Sequence, residues 1–369
     1  MQTGLGFAFQ NPQGKRRDSE VWRDAVALAD QAEGLGFDAL WCTEHHFTDY
    51  QITPNPLQFL TYMAGRTQRL RLGTQVVVLP WHDPVRVAEE TALLDTLSGG
   101  RAVLGIGRGL GKVEFDGFRI PFDESRDRFI ESASIVIRAL DEGVLEFDGS
   151  HYKIPRRLLR PRPDRSFRDR TYGAAISPET GRILADLGAG MIITLQKPWD
   201  AIVADLGEHR RAFLELRGCD APAPIVGAFV VCDRDSERAR EAAHRYLCAY
   251  YDSVIQHYDL GGTQFKGTRG YEYYDNMAMK VRKYGSESGH FFAELQVWGN
   301  PRQCLEKLAF IQQQTGCREF IAIFDMAERP FEEAERSMRL FAAEVIPHLR
   351  TLRNADPEPA GDDSSSRVP

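Results

Sequence analysis

The chain has no cysteine pair at metal-binding or redox spacing. Cys42, Cys219, Cys232, Cys248, Cys304 and Cys317 are scattered through 369 residues without a C-x-x-C. In a chain of this size they read as reduced thiols, not as a disulfide framework or a zinc ribbon. No apolar run approaches bilayer-spanning length. Met1 to Asp18 lacks the basic-then-apolar order of a secretory signal. The expectation is a cytoplasmic protein that binds no membrane. A net charge of −7 sets general nucleic-acid binding aside. G-x-S-x-G, H-E-x-x-H and a legible Ser-His-Asp set are also missing.

What is present is a regular alternation of short apolar strands and amphipathic helices. The strands fall at Leu5–Phe9, Phe37–Cys42, Leu70–Leu79, Arg101–Gly107, Thr171–Ala175, Met191–Leu195, Pro224–Val231 and Glu319–Phe324. A helix pattern follows each one. In the first, Ser19 to Glu33, residues Val21, Ala25, Leu28, Ala29 and Ala32 share a face. Eight such units with right-handed crossovers give an α/β fold, a closed (β/α)8 TIM-like barrel, with an open doubly wound sheet as the rival. Residues 1–353 are expected to form this single barrel. It carries an insertion at 143–170, read as a hairpin and a basic loop, and a mobile active-site loop at 259–292. Ala293–Trp298 and Pro301–Gln314 read as an extra strand and helix, and the polar stretch 354–369 as a disordered tail.

Trp41-Cys42-Thr43-Glu44-His45-His46-Phe47-Thr48 closes the second strand, at the barrel end where such enzymes gather reactive groups. Adjacent strand side chains point to opposite faces, so His45 and His46 do not readily chelate one metal. One functional histidine is the reading, against a pair of hydrogen-bonded structural ones. No metal is expected. Gly105-Ile106-Gly107-Arg108-Gly109-Leu110-Gly111 closes the fourth strand. It fails as a dinucleotide fingerprint because Leu110 and Lys112 stand where glycine is needed, and as a P-loop because Ile106 and Val113 do. It remains either a close seat for a flat ligand with Arg108 as anion partner or a solvated turn. Ser177-Pro178-Glu179-Thr180 opens a helix whose free N–H groups and two hydroxyls suit an anion, or merely cap the helix. Arg126 is open in the same way. Lys153 to Arg170 holds eight basic and two acidic residues but one aromatic, Phe167. That composition reads as a solvated loop.

Taken together, several segments resemble the bacterial luciferase-like flavin monooxygenases, and within them the luciferase alpha-chain branch. They include Gly36-Phe37-Asp38, Glu44-His45-His46-Phe47-Thr48, Asn55-Pro56, Leu72-Gly73-Thr74 and His82-Asp83-Pro84-Val85-Arg86. Leu97-Ser98-Gly99-Gly100-Arg101, Gly107-Arg108-Gly109-Leu110, Thr268-Arg269-Gly270-Tyr271 and Gly299-Asn300-Pro301-Arg302-Gln303-Cys304 continue the match. The resemblance runs from Gly4 to Leu349. It implies a TIM-like barrel that takes reduced FMN (FMNH2) from a separate flavin reductase. The flavin reacts with molecular oxygen at C4a, and the peroxide oxygenates an aldehyde-like or other small organic substrate. A homodimer, or a heterodimer with a related subunit, is implied too.

By the same resemblance His45 is the catalytic histidine, and Arg108, Arg126, Ser177 and Thr180 form the phosphate site. Gly109 and Leu110 border the cofactor. Thr74, Gln75 and Val76 line the flavin face, where related enzymes carry a strained peptide. Glu44, Leu195 and Lys283, the last on the long loop Gly261 to Gly289, are the substrate-side and loop residues. Departures are Gly107 in place of a cysteine, Ile176 in place of a glutamate and Leu195 in place of a tryptophan. They put light emission in doubt. Two other readings remain: an F420-dependent hydride-transfer enzyme of the same superfamily and a non-catalytic flavin-binding subunit.

Overall fold

A computed structural model describes residues 1–268, 271, 274, 275, 279 and 287–352. Its strands are β1 (Gln2–Phe7), β2 (Ala39–Cys42), β3 (Arg71–Thr74), β4 (Val77–Val78), β5 (Ala102–Gly107) and β6 (Val144–Asp148). β7 (Lys153–Leu158), β8 (Thr171–Ala174), β9 (Gly190–Thr194), β10 (Ile225–Cys232), β11 (Val297–Gly299) and β12 (Glu319–Ile323) follow. Eight of them close a parallel barrel in the order β1-β2-β3-β5-β8-β9-β10-β12, and β12 returns to β1 with Gln2 opposite Glu319. This is the expected (β/α)8 architecture.

Local chemistry sets the helix ends. Asp83 accepts hydrogen bonds from the Val85 and Arg86 amides, Pro84 opens the helix Pro84–Ser98, and Gly99 ends it at φ 69°. Proline suits the first turn, where its missing donor is not needed. The helices pack apolar faces such as Leu28, Leu60 and Phe341 onto the outside of the barrel. Inside, at the end where the strands begin, Trp41 donates from Nε1 to Glu319 Oε1 at 2.9 Å. Arg71 pairs with the other oxygen at 2.8 Å. Burial raises the pKa of Glu319 despite the guanidinium.

Four expectations change. The third strand is not continuous: β3 stops at Thr74, the Gln75–Val76 peptide is cis, and β4 resumes beside β5. Pro80, which has no N–H for a ladder, stands in the short 3-10 turn Leu79–Trp81 that ends it. A helix, Lys112–Phe118, follows β5 where a turn was expected. The hairpin β6–β7 reaches Leu158, taking up the first part of the stretch read as a loop. Ala293 to Leu295 belongs to the helix Glu287–Leu295, because Phe292 and Leu295 at helical spacing both bury, and only Val297–Gly299 pairs with β10. Lys283 and the tail 354–369 lie outside the described residues.

β3 and β5 approach closely at Gly105. Thr74 Oγ1 donates to Gly105 O at 2.7 Å and accepts from Gly105 N at 2.8 Å. A Cβ at position 105 would stand 2.0 Å from the Thr74 carbonyl oxygen. A backbone atom cannot swing aside, so Gly105→Ala is expected to destabilise the fold by about 1–3 kcal/mol or more. Urea unfolding measures this, and an unchanged midpoint would show that the two strands can separate freely.

Candidate active site

At the opposite end, where the strands finish, the barrel opens into a cavity of about 200 Å3, far larger than a water or an ion needs. Its wall includes Phe7 at the end of β1 and Ala8 after it, His45 after β2, Gln75 and Val76 after β3, and Arg108 after β5. Thr194 and Leu195 at the end of β9 and Phe229 of β10 continue it. The parallel arrangement alone brings these strand ends to one mouth.

His45 is held there by a buried carboxylate. Its Nδ1 lies 3.0 Å from Glu114 Oε1, which also accepts from the His46 amide at 2.9 Å. Glu114 sits on the unexpected helix Lys112–Phe118 and is fully buried. Burial disfavours its charge, but the facing His45 and His257 outweigh that and bring its pKa down to about 2. An anionic Glu114 accepts a hydrogen bond from His45 Nδ1–H. Nε2 is left as the bare nitrogen, 3.4 Å from the hydroxyl of Tyr258, another cavity residue. His257 reaches the same carboxylate at 3.4 Å, and its Nδ1 meets Thr48 Oγ1 at 2.8 Å. Burial lowers the pKa of His257, so its ring is neutral near pH 7.

His46 turns the other way, as strand geometry requires. It lies against Trp81 and Phe118 and bonds Glu44 Oε1 at 3.0 Å. Glu44 borders the cavity, yet its oxygens are engaged by His46, by His82 at 2.6 Å and by the Val78 amide at 2.8 Å. Burial raises its pKa, but these hydrogen bonds prevail and hold it low. Glu44 therefore ties the end of β2 to β4 while bordering the cavity.

Arg108, Gly109, Leu110, Arg126 and Thr180 all line the same cavity. Arg126 stands 3.6 Å from Glu179 in the first turn of the helix Pro178–Leu187, whose N-cap is Ser177. The Ser177 and Thr180 hydroxyls are 2.8 Å apart. Arg126 thus approaches a helix N-terminus, where free N–H groups and the helix dipole favour an anion, and Arg108 lines the same cavity. Tyr271 covers Arg108, with the guanidinium 4.3 Å from its ring centre, and bonds Ser125 Oγ at 2.8 Å.

Two expected site residues are not on the cavity wall. Thr74 is fully buried and spends its hydroxyl on Gly105, and Ser177 lies just beneath the surface. The space beside Gly107 is filled by Val76, whose Cγ2 lies 2.4 Å from where a Cβ would be. A cysteine there would collide with it. Sequence reading missed Glu114, His257, Tyr258 and Tyr271. Only Tyr271 carried a signal, through its place in the Thr268–Tyr271 segment.

A family model, the luciferase-like monooxygenases, matches residues 1–319. The chain belongs to the luciferase-like monooxygenase family. Within that family it is 28% identical over 354 residues to the alkanal monooxygenase alpha chain of the Kryptophanaron alfredi symbiont, covering 94% of this chain and 98% of that one. Among solved structures, this luciferase-like monooxygenase resembles the oxygenating constituent of 3,6-diketocamphane monooxygenase from Pseudomonas putida, in complex with FMN. That match has a TM-score of 0.72 at 17% identity, over 94% and 98% of the two chains. It also resembles the coenzyme F420-dependent tetrahydromethanopterin reductase of Methanopyrus kandleri, with a TM-score of 0.66 at 20% identity over 94% and 99%. Among the described residues of this luciferase-like monooxygenase, no helix is long and apolar enough to cross a membrane.

Proposed function

We propose that the protein is the oxygenating component of a two-component monooxygenase that receives reduced FMN from a separate reductase. The observation that carries this reading is a single cavity holding both a carboxylate-oriented histidine and an anion seat. The seat fits a flavin phosphate: Arg108, Arg126 and Thr180 border it beside the first turn of a helix. When bound, reduced FMN supplies the electrons that activate molecular oxygen, and one oxygen atom passes to the organic substrate.

The chain's own residues do the rest. The arginines fix the phosphate and so the position of the flavin ring, whose wall Gln75 and Val76 form. Val76 closes the space where the alpha chains' cysteine would stand. His45 Nε2 takes or returns a proton at the reacting centre, and Glu114 stabilises the imidazolium that results. The apolar wall built from Phe7, Phe229 and Phe292 excludes water from an intermediate that water would discharge. The substrate is aldehyde-like or another small, predominantly apolar organic molecule.

The F420 reading is supported by the likeness to F420-dependent enzymes, the reductase of Methanopyrus kandleri among them. One experiment separates the two. Photoreduced FMN and reduced F420 are each offered anaerobically, oxygen is admitted, and its uptake is followed across a panel of aldehydes, ketones and aromatic compounds. Substrate-dependent oxygen uptake with FMN supports the proposal. Binding and oxidation of reduced F420 alone would replace it.

A further inference from the structure

Outside the cavity lining, two helices carry metal-ligand side chains toward one another. His244 and Cys248 are four residues apart on the helix Ser236–His257, and His290 and Glu294 four apart on Glu287–Leu295. Residues at that spacing share a helix face, and these two faces meet. His244 Nδ1 lies 3.1 Å from His290 Nδ1, and Cys248 Sγ lies 3.9 Å from the same nitrogen. All three ligand atoms fall within 4.8 Å of one another.

The outer shell favours a cation as well. Glu294 Oε1 is 3.3 Å from His244 Nε2. A carboxylate that accepts the N–H of one imidazole nitrogen leaves the other bare and more basic, the arrangement that supports metal-bound histidines. With Zn–N bonds of about 2.0–2.1 Å and Zn–S of about 2.3 Å, two nitrogens of one tetrahedral ion stand about 3.3–3.4 Å apart, and nitrogen and sulfur about 3.6 Å. Both measured separations lie within about 0.3 Å of those edges. Small side-chain rotations close the difference, since the three residues are half-buried or exposed.

We propose that His244, Cys248 and His290 form a binding site for a divalent transition-metal ion, Zn2+ by its ligand chemistry. Glu294 orients His244, and water takes the fourth corner. The Cys248 thiol gives up its proton when the ion binds. The ion joins two helices whose next turns hold Tyr250 and Phe292, stacked with ring centres 5.8 Å apart on the cavity wall. It is therefore a structural clip for that wall. It takes no part in the oxygenation proposed above and does not depend on that proposal.

The test uses Co2+ alone, added to the full-length reduced protein. The expected result is one equivalent bound, with a thiolate-to-cobalt charge-transfer band and the intense visible bands of a tetrahedral ion. Zn2+ should displace the cobalt and raise the melting temperature. Cys248→Ser should lose the charge-transfer band and His290→Ala should lose stoichiometric uptake, while Cys219→Ser, an exposed cysteine elsewhere, changes nothing. Glu294→Gln, the mildest change, should weaken uptake by about 10–100-fold. Metal-free melting curves of the variants should match the metal-free parent. Absence of uptake overturns the site. So does cobalt bound without the thiolate band, which would put the ion at His45, Glu114 and His257, whose ligand atoms also lie within 4.8 Å of one another. A band that survives Cys248→Ser does the same.

Discussion

His45→Ala is expected to slow substrate oxygenation by about a hundredfold or more while flavin binds nearly as it does to the parent. In the proposed function the imidazole moves a proton at the cavity wall, whereas the anion seat proposed for the flavin phosphate is built from other residues. Glu114→Gln should lose part of the same rate, because a neutral amide can accept the Nδ1 proton but stabilises the imidazolium less. Added imidazole should restore some activity to the alanine variant, which a merely unfolded protein would not show. His46→Ala is the control. Its ring packs on Trp81 and Phe118 and away from the cavity, so stability should fall while the residual rate per folded molecule stays near the parental value. Parental turnover by His45→Ala with excess reduced FMN would remove the histidine from the mechanism.

Reversing charge in the anion seat should act on binding. Arg108→Glu is expected to weaken FMN, oxidised or reduced, by about 10–150-fold, the equivalent of one charge-assisted contact worth about 1.5–3 kcal/mol. An unpaired flavin without phosphate, such as riboflavin, should bind parent and variant alike, which isolates the phosphate term. Arg108→Lys keeps the charge but gives up the planar stack under Tyr271, and its loss should fall between the two. Fluorescence quenching of FMN provides the measurement. Equal titrations for parent and Arg108→Glu would mean that the phosphate sits elsewhere.

The barrel was legible because the β/α units repeat similar signals: a short apolar strand, an amphipathic helix and, in most of them, a glycine at the helix end. His45 and Arg108 were legible because they sit where such strands stop. Glu114 was not. It occupies one turn of a short helix, and nothing in Lys112–Phe118 says that a glutamate is buried rather than solvated. His257 was hidden for a related reason, since its contact with Thr48 joins positions 209 apart. Burial of a charge is a property of tertiary neighbours, and local periodicity carries no trace of it. The misread strand at Ala293–Trp298 shows the converse error, since a short apolar run suits either element until its packing is known.

Closure of the barrel has a consequence for how the chain acquires its activity. The last strand, β12, pairs with the first, and just beyond it Asp325 accepts from the Ala8 amide 317 positions away. His45 faces Tyr258 across 213 positions. Contacts between such distant parts of the chain form late, because the intervening loop must first lose its freedom. A growing chain that has already folded its first units still lacks the parts of the cavity wall that β9, β10 and β12 supply. The cavity is therefore complete only once the final strand has closed the barrel.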